Sequence, residues 1–304
     1  MSKDRKLKLP DEFVRNTVAI CGNRGETWLD ELPQMLLRLS KKWRVKIEPP
    51  FPNISYNFVA PATTETGEHA VIKIAIPQEY IEIYSEAAYL KAVDGKGAVD
   101  LLSEDRENRV ILIERALPGT TLADLYQETP LTAVDIAVGL IQKVRRPAPT
   151  DRGDAILLDD WFDNLTRYGE KPFPAEYAVK ALRFYERLRT TYGCKHYLHG
   201  DFHWENIVRS GEEFVLIDPK GIVGHLGYEI AVFLNNFHWR LDENDDLDEL
   251  LNTVVTKFAA ATGISEREIR EWAYSQAILS AWWIFDEMPE LYDNEVANAD
   301  IWNV

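Results

Sequence analysis

A chain of 304 residues, 46% hydrophobic and 28% charged, is long enough to bury two cores and is neither disordered nor fibrous in composition. Its 50 acidic residues outnumber 34 Lys and Arg, and a formal net charge of -16 argues against a nucleic-acid partner, since a phosphate backbone needs concentrated cations. No apolar run reaches membrane-spanning length, the cations of Met1–Lys8 have no apolar stretch behind them, and Cys21 and Cys194 are too few for a disulfide framework, so a cytoplasmic protein without a membrane partner is expected.

In chain order, Trp28, Leu29, Leu32, Met35, Leu36 and Leu39 fall at helical spacing within residues 26–44, a helix in which Pro33 is tolerable only near the first turn. The run Pro49-Pro50-Phe51-Pro52-Asn53 ends that pattern. Two strand-like stretches follow, Ile54–Ala60 and Ala70–Ile76, around the polar turn Thr63–Glu68. Glu79–Val93 returns to helical spacing, with Gly95 and Gly97 past its end as stop signals. A further strand pair is expected over Val99–Leu102 and Arg109–Glu114. After Pro118-Gly119-Thr120 the pattern turns helical: Thr120 or Thr121 caps a helix from Leu122, and Thr132–Lys143, Asp159–Tyr168 and Ala175–Tyr192 follow. Two short strands, Ile207–Arg209 and Phe214–Ile217, interrupt the helices. These resume from Tyr228, with Trp272, Trp282, Trp283 and Phe285 as core candidates. The expected architecture is α+β, with a small strand-rich lobe over residues 1–115 and a larger, mainly helical lobe over 116–304. The acidic run Asp242–Asp246 reads as a solvated loop.

The chemistry is concentrated in His199-Gly200-Asp201-Phe202-His203-Trp204-Glu205-Asn206, followed by the apolar strand Phe214–Ile217 and Asp218. Phosphoryl transfer from ATP needs a group that orients the attacking hydroxyl, oxygen ligands for Mg2+, and cations for the phosphates. Asp201 fits the first role, and Asn206 and Asp218 offer hard oxygen ligands for the second. The spacing His-x-Asp-x-x-x-x-Asn matches the kinase catalytic loop, with Asp218 in the place of the metal-binding Asp. Val71-Ile72-Lys73-Ile74 is an apolar strand broken by one cation, and Glu86 lies in the helix after it. An ordinary strand carries such a lysine on its solvent face. Beside Glu86, Asp201, Asn206 and Asp218, Lys73 reads instead as the lysine that neutralises phosphate charge, with Glu86 fixing its direction.

Over about Glu12–Phe237 the chain resembles the aminoglycoside/hydroxyurea antibiotic resistance kinases. The resemblance is carried by Phe51–Pro61, Glu86–Leu90, Gly95–Val99, Leu112–Gly119, His199–Asp201 and Ile217–Gly224, the block Asp218-Pro219-Lys220-Gly221 being the most specific. It implies a two-lobed, protein-kinase-like fold of the aminoglycoside phosphotransferase type, with a small antiparallel-sheet N-lobe and a larger helical C-lobe. It also implies ATP in the cleft between lobes, with adenine against a hinge formed by Ile113, Glu114 and Ala116. There is no Gly-x-Gly-x-x-Gly before Lys73, so Ser55, Tyr56 and Asn57 would have to cover the phosphates. Pro219 replaces the Phe of protein kinases and no Ala-Pro-Glu follows, which speaks against an activation loop and a protein substrate. Glu205 stands where relatives carry a small residue, and it is either solvent-directed or alters metal or substrate contacts.

Of the other residues, His199 reads as holding the loop by hydrogen bonds rather than as a base. Glu229 resembles the acidic residue that anchors the loop from a buried helix start. For His203, packing and substrate contact are both open; for Lys220, so are a phosphate or substrate contact and a local ion pair. Asp159, Asp160, Asp286 and Glu287 are candidate partners for a cationic acceptor. The C-terminal tryptophans are core residues, some of them candidates for the acceptor pocket. The expected function is ATP- and Mg2+-dependent O-phosphotransfer to a small-molecule hydroxyl, on an aminoglycoside such as streptomycin or on hydroxyurea. Alternatives are a kinase of a housekeeping sugar or amino alcohol, and a nucleotide-binding pseudokinase, which the intact residue set argues against.

Overall fold

The computed structural model describes residues 7–79, 82–126, 129–170, 172–191, 195–237, 247–287, 292–302 and 304, with the backbone alone at 286, 287 and 292–295. The expected acidic loop Asp242–Asp246, Cys194, His238, Trp239 and the side chains of Asp286 and Glu287 lie outside the described residues. The chain divides into two compact units, Met1–Gly95 with Val99–Ala116, and Lys96–Ala98 with Leu117–Val304.

The first unit opens with α1 (Asp11–Cys21) and α2 (Asn23–Trp43). The strands β1 (Val45–Ile47), β2 (Asn57–Thr64), β3 (His69–Ala75), β4 (Leu101–Asp105) and β5 (Val110–Glu114) form one antiparallel sheet in the order β1-β2-β3-β5-β4, and α3 (Ile83–Val93) follows β3. Strand alternation assigns the two faces. Ile72 and Ile74, with Phe58, Ala60, Val110 and Leu112, are buried together with Phe13, Trp28, Leu32 and Leu36 of the two helices. Complete burial contributes roughly 1.5–3 kcal/mol for each such Ile. The same pleat turns Lys73 and its register partners Val59 and Ile111 to the other face.

Local structure departs from expectation in several places; β4, for one, spans Leu101–Asp105 rather than Val99–Leu102. No element is expected from the sequence before residue 26, where α1 forms. Its buried stripe is Phe13, Thr17 and Cys21, and only Phe13 of these is strongly apolar; Thr17 Oγ1 donates to Phe13 O at 2.8 Å. Because α2 starts at Asn23, Pro33 lies well inside the helix rather than in its first turn, and cannot donate to the Leu29 carbonyl. The buried row Trp28, Leu32, Met35, Leu36 and Leu39 holds the helix together across that gap. Finally, β2 is displaced toward Thr64 and passes through Pro61, whose carbonyl accepts the Glu48 N–H at 2.9 Å just beyond the end of β1.

The second unit contains β6 (Pro118–Thr121), α4 (Leu122–Tyr126), α5 (Pro130–Val144), β7 (Arg146–Pro147), β8 (Ile156–Leu157), α6 (Leu158–Leu165), a 3-10 turn (Thr166–Glu170), α7 (Ala175–Thr191), β9 (His196–Leu198), β10 (Ile207–Ser210), β11 (Glu213–Leu216), β12 (Ile222–Gly224), α8 (Leu226–Phe237), α9 (Leu247–Thr262), α10 (Glu266–Glu287) and α11 (Tyr292–Asp300). Thr121 caps α4, its Oγ1 accepting the Asp124 N–H at 3.0 Å. The long helix α10 runs through the core with Ile269, Trp272, Ile278 and Leu279 buried. Two small sheets, β11-β10-β6 and β7-β9-β12-β8, place the chemistry-bearing segments. Asp201 and Asn206 lie in the β9–β10 loop, and Asp218 in the β11–β12 loop. Among the described residues no helix is long and apolar enough to cross a membrane.

Candidate active site

In the first unit, Lys73 meets Glu86 across the sheet face that α3 covers. Lys73 Nζ lies 2.8 Å from Glu86 Oε2, and both side chains are buried. Buried charge is costly to desolvate, so a well-packed pair of this kind reads as retained for use rather than for stability. Asn57 pairs with Ala75, and by alternation it lies on the same sheet face as Lys73. Ser55 precedes it, its carbonyl accepting from Asn16 Nδ2 at 3.2 Å, and Tyr56 is exposed. Ile113 is buried at the end of β5 on that same face, in register with Val71. Glu114 donates its N–H to Asp100 O at 2.8 Å and accepts the Asp100 N–H at 3.2 Å, and half-buried Ala116 ends the unit.

In the second unit the β9–β10 loop is fixed from below. Phe202 and Trp204 alternate with Asp201 and His203, and both aromatic rings are buried against α8, at 5.9 Å from Phe233 and 5.1 Å from Phe237. Glu229, at the start of α8, accepts the N–H of His199 at 2.7 Å and of Gly200 at 2.8 Å. Gly200 has φ +85°, and a Cβ there would stand 3.0 Å from Ile222 Cγ1 and 3.1 Å from Lys220 Cβ, so only glycine fits. The ring of His199 is buried between Ile217 O, 2.8 Å from its Nε2, and the Asp201 N–H, which donates to Nδ1 at 3.2 Å. These partners put its proton on Nε2. Burial lowers its pKa to about 4, so it is a neutral brace and not a base.

Asn206 folds back on Asp201, its Nδ2 donating to the Asp201 carbonyl at 3.0 Å and to Oδ2 at 3.1 Å. With the amide nitrogen so used, Oδ1 is the atom Asn206 can offer a cation. The β11–β12 loop is laced to the same segment. Ile217 N–H donates to Asn206 O at 3.0 Å, and the N–H groups of Lys220 and Gly221 donate to His199 O at 2.7 and 3.2 Å. Between them Asp218 is exposed with φ 56°, a left-handed conformation that non-glycine residues adopt where surrounding structure enforces it. Burial works to raise the Asp201 pKa. The His203 imidazole, then the charge of Lys220 and the neighbouring His199 ring, outweigh it and hold the carboxyl at about 2.

The donors that suit a divalent cation here are one amide oxygen and one carboxylate. Among the described residues no group of three or more His, Cys, Asp and Glu could hold a metal. A sparse, hard-oxygen set fits Mg2+, which keeps several waters and binds phosphates beside one or two protein ligands.

Asp159 is better explained as an anchor than as an acceptor ligand. It accepts from Tyr185, from Arg189 at 3.1 Å and from Lys195 at 2.6 Å, which occupies its carboxylate. Asp160 is exposed, 3.9 Å from Arg152. Glu205 is exposed, and its N–H donates to His203 Nδ1 at 3.3 Å. Spacing arguments missed the anchoring pair Phe202 and Trp204; the available signal was two aromatic residues alternating through an otherwise polar loop.

Comparison with known proteins gives the family and the fold. The profile of the aminoglycoside/hydroxyurea antibiotic resistance kinases matches residues 43–287. The hydroxyurea phosphotransferase of Kitasatospora aureofaciens is 26% identical over 97% of this chain and 86% of its own length. A streptomycin 6-kinase of Streptomyces glaucescens is 22% identical over 94% of each chain. Amicoumacin kinase hAmiN, solved with AMP-PNP, Ca2+ and Ami, shares the fold, with a TM-score of 0.61 and 15% identity over 89% of this chain and 93% of that one. The chain therefore belongs to the family of aminoglycoside/hydroxyurea antibiotic resistance kinases, phosphotransferases of small molecules, as its motifs implied.

Proposed function

We propose that the protein transfers the γ-phosphoryl group of Mg·ATP to a hydroxyl of streptomycin, a related aminoglycoside, or hydroxyurea. The observation that carries this reading is the braced loop: Asp201 held by Asn206, with Glu229 and His199 fixing the backbone around it. Asp201, at a pKa of about 2, is a weak base, which suits phosphoryl transfer through a loose transition state. It orients the acceptor hydroxyl and takes its proton only as the new P–O bond forms. Asn206 Oδ1 and the Asp218 carboxylate would hold Mg2+, which when bound neutralises phosphate charge. Lys73, directed by Glu86, adds a further positive charge at the phosphates. Ser55, Tyr56 and Asn57 line the phosphate side, and Ile113, Glu114 and Ala116 the adenine side. The nucleotide and Ca2+ bound by amicoumacin kinase support this cofactor pair.

The names of the two sequence relatives favour an antibiotic acceptor over a housekeeping sugar or amino alcohol. The surplus of acidic residues suits a cationic aminoglycoside. A cytoplasmic location, where ATP is supplied, goes with the same reading. The test is an acceptor panel with Mg·ATP, containing streptomycin, other aminoglycosides, hydroxyurea, choline and simple sugars, scored by phosphorylated product. Transfer to an aminoglycoside or hydroxyurea is expected. Turnover only on choline or a sugar would overturn the acceptor class, and near-normal transfer by Asp201→Ala would overturn the role of Asp201.

A further inference from the structure

We propose that His203 is a positioning residue of the phosphotransfer site, holding Oδ1 of Asp201 while Asn206 holds Oδ2. The proposal rests on the reading of Asp201 as the residue that orients the acceptor hydroxyl. Three observations carry it. The Glu205 N–H donates to His203 Nδ1 at 3.3 Å, which leaves the ring proton on Nε2. That Nε2 faces Asp201 Oδ1 at 3.6 Å, while Asn206 Nδ2 reaches Oδ2 at 3.1 Å. The backbone around the ring is pinned, His203 N–H donating to Asp201 O at 3.1 Å and His203 O accepting the Asn206 N–H at 2.9 Å.

A contact of 3.6 Å is slightly longer than a formed hydrogen bond. Hydrogen bonds that orient a reacting group often tighten when substrate docks. The consequence is geometric. A carboxylate held by one donor can still turn about its Cβ–Cγ bond, whereas two donors on different oxygens leave one orientation toward the acceptor. With its proton on Nε2, His203 cannot itself take the hydroxyl proton through that nitrogen. Its part is to aim Asp201.

The test compares wild type with His203→Leu, which removes the donor, and His203→Gln, which keeps an N–H at similar reach. Transfer from Mg·ATP is measured with streptomycin as acceptor and, in a parallel arm, with water, alongside the KM for ATP and the thermal midpoint. The Leu variant should lose roughly 10- to 100-fold in kcat, the worth of one hydrogen bond to a charged group, with ATP KM and midpoint unchanged. The Gln variant should recover most of that loss. Wild-type kcat in the Leu variant, or equal losses in both variants, would overturn the proposal. Nitrogen NMR of histidine-labelled protein gives a readout that needs no turnover: the ring should carry its proton on Nε2 and respond to Asp201→Asn. A ring protonated on Nδ1 alone, or one indifferent to that substitution, would also overturn it. Near-normal turnover by Asp201→Ala would remove the underlying reading of Asp201 instead.

Discussion

Replacing Glu229 by Gln probes directly how the catalytic loop is held. The carboxylate is buried, with one oxygen on the His199 N–H at 2.7 Å and the other on the Gly200 N–H at 2.8 Å. Gln keeps one acceptor and presents an NH2 to the second donor, so one buried N–H loses its partner at about 1–3 kcal/mol. Charge works in the other direction. Burial, helped by the Asp201 charge and partly offset by the two N–H groups, raises the Glu229 pKa from 4.5 to about 7. A carboxyl whose pKa rises on folding contributes its full stability below the unfolded value and loses it as pH climbs through the folded one. That window, from about pH 4.5 to about pH 7, is worth roughly 3 kcal/mol. His199 and His225 run the opposite way: burial lowers each to about 4, so their contribution is present above pH 6.5 and is lost as pH falls. Subtracting the unfolding free energy of the variant from that of wild type cancels both. Urea unfolding at about pH 5 and pH 8 should show a wild-type advantage at the lower pH that shrinks or inverts at the higher one. An identical difference at both values would refute the reasoning.

Lys73→Met should remove the cation paired with buried Glu86 and destabilise the protein by about 3–5 kcal/mol in chemical unfolding, with much of that recovered by adding Glu86→Gln. Gly200→Ala adds a Cβ to a residue at φ +85° that would press on Ile222 and Lys220, and should cost about 1–3 kcal/mol in thermal melts together with a fall in kcat. Asp218→Asn should melt within about 0.5 kcal/mol of wild type, because Asn tolerates a positive φ, while a Mg2+ titration of activity should show a much higher half-saturating concentration; an unaltered Mg2+ dependence would remove Asp218 from the metal site.

The legible parts of the site were those written in short spacing. Asp201 and Asn206 share one loop, and Asp218 follows one short strand, so offsets of five and seventeen residues from Asp201 capture all three. Lys73 stood out as one cation in an apolar strand, and Glu86 as an acid in the next helix; their side chains lie 2.8 Å apart. Long helices such as α5 and α7 were legible because their apolar period repeats several times. Helix α1 was not, since Thr17 and Cys21 fill two of its three buried positions and carry little apolar signal. Pro33 misled in the opposite sense: its local penalty is real, but the buried row along α2 outweighs it.

What the amino-acid order determined alone was the alternation of β3, the loop spacing and the kinship those motifs implied. What only the folded chain decided was the state of each group. Asp159, an acid open to any cation in the sequence, is taken by Tyr185, Arg189 and Lys195. Glu229 finds two N–H donors nearly thirty residues upstream, and through burial its charge becomes costly. His199 is neutral because both ring nitrogens are occupied away from water. Periodicity and spacing describe neighbours along the chain, whereas hydrogen-bond partners and desolvation are set by neighbours in space.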